Sequence, residues 1–337
     1  MAHRAPSVRV VAHATETTGT RAPTRLDFGG GWTDVPPYSE REGGFVCNLA
    51  ISRCSTVLIA PSTRSGETGL LASDRAADRP LVEAAVRRAG VMGVDVALYN
   101  DFPLGAGLGG SSAAGVALAG ALAQWRGASL APSALAEWSR ATEVEELGVA
   151  GGRQDHYAAA FGGALALRFS SEGTDVRRIP LSADLRSELE RRCIVVYTGE
   201  SRISGETITA VASAYEQRNA KVLFALRRMK ELAEEMARAL GAADVDALAA
   251  LVGEHWAHQR SLHPGIPTAR IDAIIDRARA AGAHGAKALG ASGGGCVLVV
   301  APRGGEDAVS AAVSTLGSLL PFTIAAHGVE SAAWRVE

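Results

Sequence analysis

Pro103-Leu-Gly-Ala-Gly-Leu-Gly-Gly-Ser-Ser-Ala113 separates two stretches of different character. Before it, Val94 to Asn100 (VDVALYN) alternates and reads as a strand; after it, Ala113 to Trp125 (AAGVALAGALAQW) reads as a helix. A glycine loop with two hydroxyls therefore meets a helix N-terminus, where unpaired N–H groups and the helix dipole favour an anion, usually a phosphate. Gly105, Gly107, Gly109 and Gly110 keep Cβ atoms out of the path of such an anion. Ser111 and Ser112 add hydroxyls that can donate hydrogen bonds or ligate magnesium. Residues Pro103 to Ser112, with Ala106 and Leu108 between the glycines, are thus read as a triphosphate cradle. The common P-loop is excluded, because it ends in Gly-Lys-Ser/Thr and no lysine lies between Met1 and Lys221. Gly105-Ala-Gly-Leu-Gly-Gly110 does match Gly-x-Gly-x-x-Gly, but the strand and acidic residue of a dinucleotide-binding unit do not follow at the required distance.

Working outward, 337 residues suit one large or two medium domains with a buried core. A net charge of −2, with both signs interspersed, predicts no nucleic-acid partner. Cys47, Cys54, Cys193 and Cys296 sit in apolar runs without metal-type pairing, as reduced core thiols of a cytoplasmic protein would. The N-terminal residues lack the apolar run of a secretory signal, and the apolar stretches are too short or too glycine-broken to span a bilayer. A cytoplasmic protein without a membrane partner, monomer or homodimer, is expected.

Residues 1–18 read as a mobile arm in which Ser7 to Ala14 offers an edge strand. Thr20 to Phe28 alternates like a strand and runs into a glycine turn, Gly29-Gly-Gly-Trp-Thr-Asp-Val-Pro-Pro37. Phe45 to Ala60 reads as one or two strands, Arg64 to Arg79 as a polar loop with a short hairpin, and Pro80 to Ala89 as a helix. A second helix is expected over Pro132 to Leu147 with Ser133 as its cap. A second glycine turn, Val149 to Asp155, leads to a short helix, His156 to Phe161, and a strand, Ala164 to Phe169. Later come a strand (Cys193 to Thr198), a helix-rich region (Glu206 to Ala281), a third glycine loop (Ala286 to Gly295), a strand (Cys296 to Ala301), a helix (Asp307 to Leu319) and a strand near Phe322 to Val329. Mixed strands and helices, with helices clustered late, predict α+β architecture with domains at 19–188 and 189–337.

Three glycine-rich turns in one chain point to a cleft where backbone meets a polyanion. Asp155 follows one of them. Two roles fit it: a helix cap, or a base that accepts a hydroxyl proton during phosphoryl transfer, chemistry that needs few side chains beyond positioning and charge neutralisation. Glu143, on the helix upstream, with Ser111 or Ser112 fits the oxygen set that magnesium prefers; with Glu145 and Glu146 it equally fits a solvated helix face. Asp34, after Thr33 in the first turn, suits hydrogen bonding to adjacent sugar hydroxyls or a plain turn role. Arg25 and Arg21 are candidates to steady Asp155 and offset transition-state charge. Arg153, Arg202 and Lys287 are further loop cations, and His156 adjoins Asp155.

With these residues in view, the chain resembles the GHMP kinase superfamily from about residue 20 to its end. Arg21-Ala-Pro-Thr-Arg25 with Thr33-Asp34 matches the first motif, Pro103 to Ala113 the second, and Gly290-Ala-Ser-Gly-Gly-Gly295 the third, with Ser292 where glycine is common. Gly151-Gly-Arg-Gln-Asp-His-Tyr157 and Tyr197-Thr-Gly-Glu-Ser-Arg202 are similar to heptose 7-phosphate kinases, while Gly30-Gly-Trp-Thr-Asp-Val-Pro-Pro-Tyr38 is similar to the fucokinase branch. The resemblance implies an N-terminal domain like domain 2 of ribosomal protein S5, a ferredoxin-like C-terminal domain, and ATP with Mg2+ as donor and cofactor. It further implies Asp155 as base supported by Arg25, and magnesium on Glu143 with Ser111 or Ser112. Gly30, Gly31, Trp32, Thr33, Asp34, Gly152, Arg153, His156, Arg202, Lys287, Gly293 and Gly294 are then expected around the substrate. The expected reaction is phosphorylation of an anomeric hydroxyl, of a heptose 7-phosphate or of an unphosphorylated sugar such as fucose. A ligand sensor of the same fold that has lost catalysis would lack the base or the metal carboxylate, and both are present. Isoprenoid and amino-acid kinases of this fold are disfavoured by Thr33-Asp34.

Overall fold

The computed structural model describes residues 17–62, 71–73, 75–200 and 205–331. Its elements run β1 (Thr18–Gly29), α1 (Tyr38–Arg41), β2 (Gly44–Pro61), β3 (Leu71–Ser73), α2 (Arg79–Ala89), β4 (Val94–Asn100), α3 (Gly110–Trp125), α4 (Pro132–Ala141), α5 (Gln154–Phe161), β5 (Ala164–Ser170), β6 (Gly173–Ile179) and α6 (Ala183–Arg192). There follow β7 (Cys193–Tyr197), α7 (Gly205–Glu216), α8 (Ala220–Gly241), α9 (Val245–Gln259), α10 (Ala269–Ala280), β8 (Gly285–Ala288), β9 (Cys296–Val300), α11 (Glu306–Val313), β10 (Ser318–Leu319) and β11 (Glu330–Ser331).

Alternation along the long strands decides which helices they cover. β1 and β2 pair antiparallel, with β11 on one side and β4 and then β3 on the other, while β5 and β6 extend from the first part of β2. Val46, Val57, Leu165 and Leu167 face α2, α3 and α5 in one core. Leu26, Phe28, Cys47 and Leu49 point to the opposite face, against Leu232 and Met236 of α8. The second sheet has strand order β10-β7-β9-β8, all antiparallel. With helices between β7 and β8 and again between β9 and β10, this is the expected ferredoxin-like β-α-β-β-α-β arrangement. Its strands alternate in the same way. Cys193, Val195 and Leu298 join the core that holds Leu26 and Phe28, whereas Ile194, Val196 and Val299 pack with α10 and α11. All four cysteines are buried and free.

Several local expectations are corrected. Helix α3 begins at Gly110, so both serines lie in its first turn rather than ahead of it. Ser133 caps nothing: α4 starts at Pro132, whose missing N–H suits the first helical position, and its cap residue is Ala131. The helix predicted to reach Leu147 changes at Thr142–Glu146 into a π-helical turn. α11 stops at Val313, where the hydroxyls of Ser314 and Thr315 bond back to the carbonyls of Ala311 and Ala312. Residues 322–329 form no strand. Their backbone instead bonds irregularly to the rims of β2 and β5, with Ala325 N–H on Ala50 O and Gly163 N–H on Ala325 O, and a single bridge pairs Ile324 with Ile51. Ser7 to Ala14 and most of the polar stretch after Ser62 lie outside the described residues.

One ion pair ties the two sheets together beneath the first glycine turn. Lys287 on β8 is fully buried, and its Nζ donates to Asp27 O (2.8 Å) and Asp27 Oδ2 (3.0 Å) on β1. Burial works against ionising Asp27, yet Lys287, foremost among the nearby cations, holds it below the usual carboxylate range. Burial also drives His255 well below its ordinary value, in keeping with its Nε2 accepting the Gly30 N–H at 2.9 Å. Removing one partner of a buried pair strands the other charge. Lys287→Met is therefore expected to lower unfolding free energy by about 3–5 kcal/mol in urea titrations, and adding Asp27→Asn should recover much of the loss.

Candidate active site

The loop between β4 and α3 turns on left-handed backbone at Gly105 (φ 66°), Gly107 (φ 72°) and Gly109 (φ 74°). Gly109 is the cap residue of α3 and no side chain caps that helix, so its first N–H groups remain for a ligand. The third glycine loop braces this one from behind by backbone contact. A Cβ at Gly107 would lie 2.7 Å from Leu289 O, one at Gly290 would lie 3.1 Å from Gly107 Cα, and Cys296 N–H donates to Ala106 O at 2.8 Å. Ser292 takes the left-handed conformation (φ 67°), and its hydroxyl accepts from Gln259 Nε2 at 3.0 Å, away from the loop.

Asp155, at the start of α5, is fixed against this loop. Arg25 on β1 places Nε 2.8 Å and a terminal nitrogen 2.7 Å from Asp155 Oδ1, and its other terminal nitrogen donates to Gly107 O at 2.7 Å. Asp155 Oδ2 would lie 3.1 Å from a Cβ at Gly109, where φ is 74°, so a side chain there would crowd the carboxylate and strain the backbone. The arginine is 3% exposed and the aspartate 25% exposed, which leaves the carboxylate open to a ligand while its orientation is held.

Glu143 sits on the π-helical turn facing the N-terminus of α3. Ser111 Oγ donates to Glu143 Oε1, while Oε2 lies 3.5 Å from Ser112 Oγ and 3.3 Å from His156 Nε2. Burial alone would raise this carboxyl, but His156 and the two serine hydroxyls more than offset it and hold it below its ordinary value. One carboxylate and two hydroxyls match an ion that draws its remaining ligands from phosphate and water, as magnesium does. No cluster of three or more His, Cys, Asp or Glu suited to a metal occurs among the described residues, so a self-sufficient protein cage is absent from them.

At the other end of the same cleft, the first and second glycine turns interlock. Asp34 Oδ2 accepts the Gln154 N–H at 3.0 Å, and Asp34 Oδ1 would lie 2.9 Å from a Cβ at Gly152. Asp34 is 2% exposed. Burial, with Asp155 and Asp27 nearby, pushes its carboxyl up to about 6, against the Gln154 hydrogen bond that lowers it. The cleft holds about 610 Å³ and joins the loop from Pro103 to Ser112, Glu143, Asp155, Asp34, Gly31, Trp32 and Gly152.

Other expected substrate residues go elsewhere. Thr33 is buried, its hydroxyl spanning Gly30 O and Phe45. Gly30 packs under Phe45 and Ala233. Arg153 is buried and donates to Ser170 O, and Lys287 is committed to Asp27. His156 is 2% exposed and backs Glu143 instead of facing the cleft. Gly293 and Gly294 brace the loop against Ile266 and Glu200. Arg202 lies outside the described residues. Sequence reasoning missed Gln154, Asp27, Arg75 and Phe102, all of which line the cleft. Arg75 stacks 4.9 Å over the Phe102 ring and donates to Phe102 O, a pairing that no local pattern announces.

A family model described as GHMP kinases N terminal domain matches residues 77–163, and one described as GHMP kinases C terminal matches residues 224–319. D-glycero-alpha-D-manno-heptose 7-phosphate kinase of Campylobacter jejuni is 28% identical over 350 residues, covering 95% of this chain and 100% of that protein. The bifunctional fucokinase/GDP-fucose pyrophosphorylase of Arabidopsis thaliana is 28% identical over 318 residues; the match covers 84% of this chain but only 30% of that longer protein. The crystal structure of a D-glycero-D-manno-heptose 1-phosphate kinase from Bacteroides thetaiotaomicron superposes with a TM-score of 0.75 at 25% identity, covering 95% of this chain and 99% of that one. No helix among the described residues is long and apolar enough to cross a membrane.

The raised value of Asp34 has a stability signature. The folded protein binds the extra proton between pH 3.8 and about 6, so stability falls as pH rises through that window. Above it the ionised group costs up to about 3 kcal/mol. Asp34→Asn, which keeps an acceptor for Gln154 N–H, should therefore be more stable than the parent in urea titrations at pH 8, the gain shrinking towards pH 4.

Proposed function

The chain belongs to the GHMP kinases, sugar-kinase relatives among them, and from that premise we propose that it transfers the γ-phosphoryl group of ATP to the anomeric hydroxyl of D-glycero-D-manno-heptose 7-phosphate. The observation that carries this reading is Asp155 held by Arg25 against Gly109 at the mouth of the glycine loop. A carboxylate there reaches the acceptor hydroxyl as the terminal phosphate lies in the loop.

In this reading the hydroxyl oxygen attacks the γ-phosphorus, the bond to the ADP oxygen breaks, and the hydroxyl proton passes to Asp155. Arg25 keeps Asp155 oriented through Oδ1 and sets positive charge at the seam between acceptor and donor. The N–H groups of Gly110 to Ser112 meet the phosphate oxygens. Glu143, Ser111 and Ser112 would hold Mg2+, which when bound neutralises charge on the phosphates. Asp34, with Gly31, Trp32 and Gly152 around it, accepts from sugar hydroxyls, with both oxygens free to accept once it ionises above about pH 6. The product is a sugar 1,7-bisphosphate, a precursor for nucleotide-sugar synthesis. The full-length match to the Campylobacter jejuni enzyme supports the heptose.

A second reading, an unphosphorylated sugar such as fucose, is favoured by Trp32 in the cleft and by the engagement elsewhere of Lys287 and Arg153, two of the three cations expected to meet a 7-phosphate.

Two measurements test these assignments. Asp155→Asn should bind ATP as the parent does by calorimetry and lose about 10²–10⁴-fold in kcat. When heptose 7-phosphate, the free heptose and L-fucose are offered with ATP and ADP release is followed, the heptose phosphate should turn over fastest, and Arg202→Ala should raise its KM. Faster turnover of fucose would replace the heptose assignment with the second reading.

A further inference from the structure

His156 adjoins Asp155 in sequence, yet it does not line the cleft; its ring lies behind two residues that do, Glu143 and Ser112. It is 2% exposed and sits among three helical segments. Its Nε2 lies 3.3 Å from Glu143 Oε2 and 3.4 Å from Ser112 Oγ, and its Nδ1 lies 2.9 Å from Ser139 Oγ on α4. Ser139 Oγ in turn lies 3.5 Å from Ser112 O, within the first turn of α3. The hydroxyl gets this close to α3 because residue 115 is glycine: Ser139 Oγ occupies the space that a Cβ there would need.

A closed ring of polar contacts results, running from Ser112 through Glu143, His156 and Ser139 back to Ser112. Glu143 is carried on a π-helical turn, a rare backbone form whose hydrogen bonds span one residue more than those of an α-helix. Both oxygens of its carboxylate have partners on other elements. Ser111 meets Oε1 from the cleft side, and His156 meets Oε2 from the buried side. Since Oε2 can only accept, the histidine proton in this contact resides on Nε2.

Resting on the reading of Glu143 as the cation-holding carboxylate, we propose that His156 is a positioning residue: it anchors Glu143 Oε2 from behind, so that the carboxylate is presented to the divalent ion in a single orientation. Partners that orient ligating carboxylates typically contribute 10–100-fold to metal affinity.

Mn2+ serves as the probe. Its affinity for the full-length protein bound to a non-hydrolysable ATP analogue is read by electron paramagnetic resonance, with circular dichroism confirming the fold. His156→Ala should weaken Mn2+ binding about ten-fold or more, with affinity for the metal-free nucleotide unchanged. His156→Gln, which retains an N–H donor, should recover most of the loss. Ser139→Ala, which frees Nδ1 without opening a large cavity, should weaken Mn2+ binding, by less than His156→Ala does, and decides the matter if His156→Ala does not fold. Glu143→Gln separates the two levels of the reading. If it abolishes Mn2+ binding while the His156 and Ser139 variants keep parental affinity, the positioning role is overturned and the site stands. If Glu143→Gln itself keeps parental affinity, the assignment of Glu143 to the cation falls, and the positioning role with it.

Discussion

A single guanidinium holds the floor of the cleft together. Arg25, almost wholly buried on β1, reaches Asp155 on α5 with two nitrogens and the carbonyl of Gly107 with the third, while its own N–H meets Leu108 O. Strand, glycine loop and helix therefore converge on one planar group with fixed donor directions. A lysine there would present a point charge without the fork, and could not keep a carboxylate and a carbonyl in register at once. Much of the surrounding structure serves this junction. The third glycine loop presses on Gly107 from behind, and glycine at 109 leaves room for the carboxylate in front.

How much of this was readable from sequence depended on whether the chemistry was local. The loop from Pro103 to Ser112, its helix, Asp155, Arg25, Asp34 and Glu143 all occupy the cleft, because glycine spacing, hydroxyls and a helix start act over a few residues. Side-chain direction was not readable. Thr33 and His156 each adjoin a cleft residue, but neighbouring positions in a tight turn or helix project to different sides, so proximity in sequence misled. Lys287 looked like a loop cation. It lies on β8, where Ala286 and Ala288 face one way and it faces the other, towards a partner 260 residues away. No window of sequence contains that partner. Arg75 over Phe102 and the irregular stretch after Leu320 escaped for the same reason: their organisation is tertiary.

Of the four described non-glycine residues with left-handed backbone, two belong to the glycine turns around the site. Trp32 (φ 82°) and Ser292 (φ 67°) take left-handed conformations that ordinary residues avoid, and each sits in one of the glycine turns. Trp32 lines the cleft, while Ser292 is held by Gln259. In both places the surrounding contacts override local preference, as expected where the position of a side chain matters more than its intrinsic comfort.

The core containing Leu26 and Phe28 has a consequence of its own. It draws side chains from both sheets and from α8 and α9, so neither half keeps a complete interior without the other. Melting should accordingly be one concerted event, and separately expressed halves should aggregate or stay unstructured. Substrates would then gain access through movement of the cleft's rim, since prising the halves apart would expose the apolar interior that binds them.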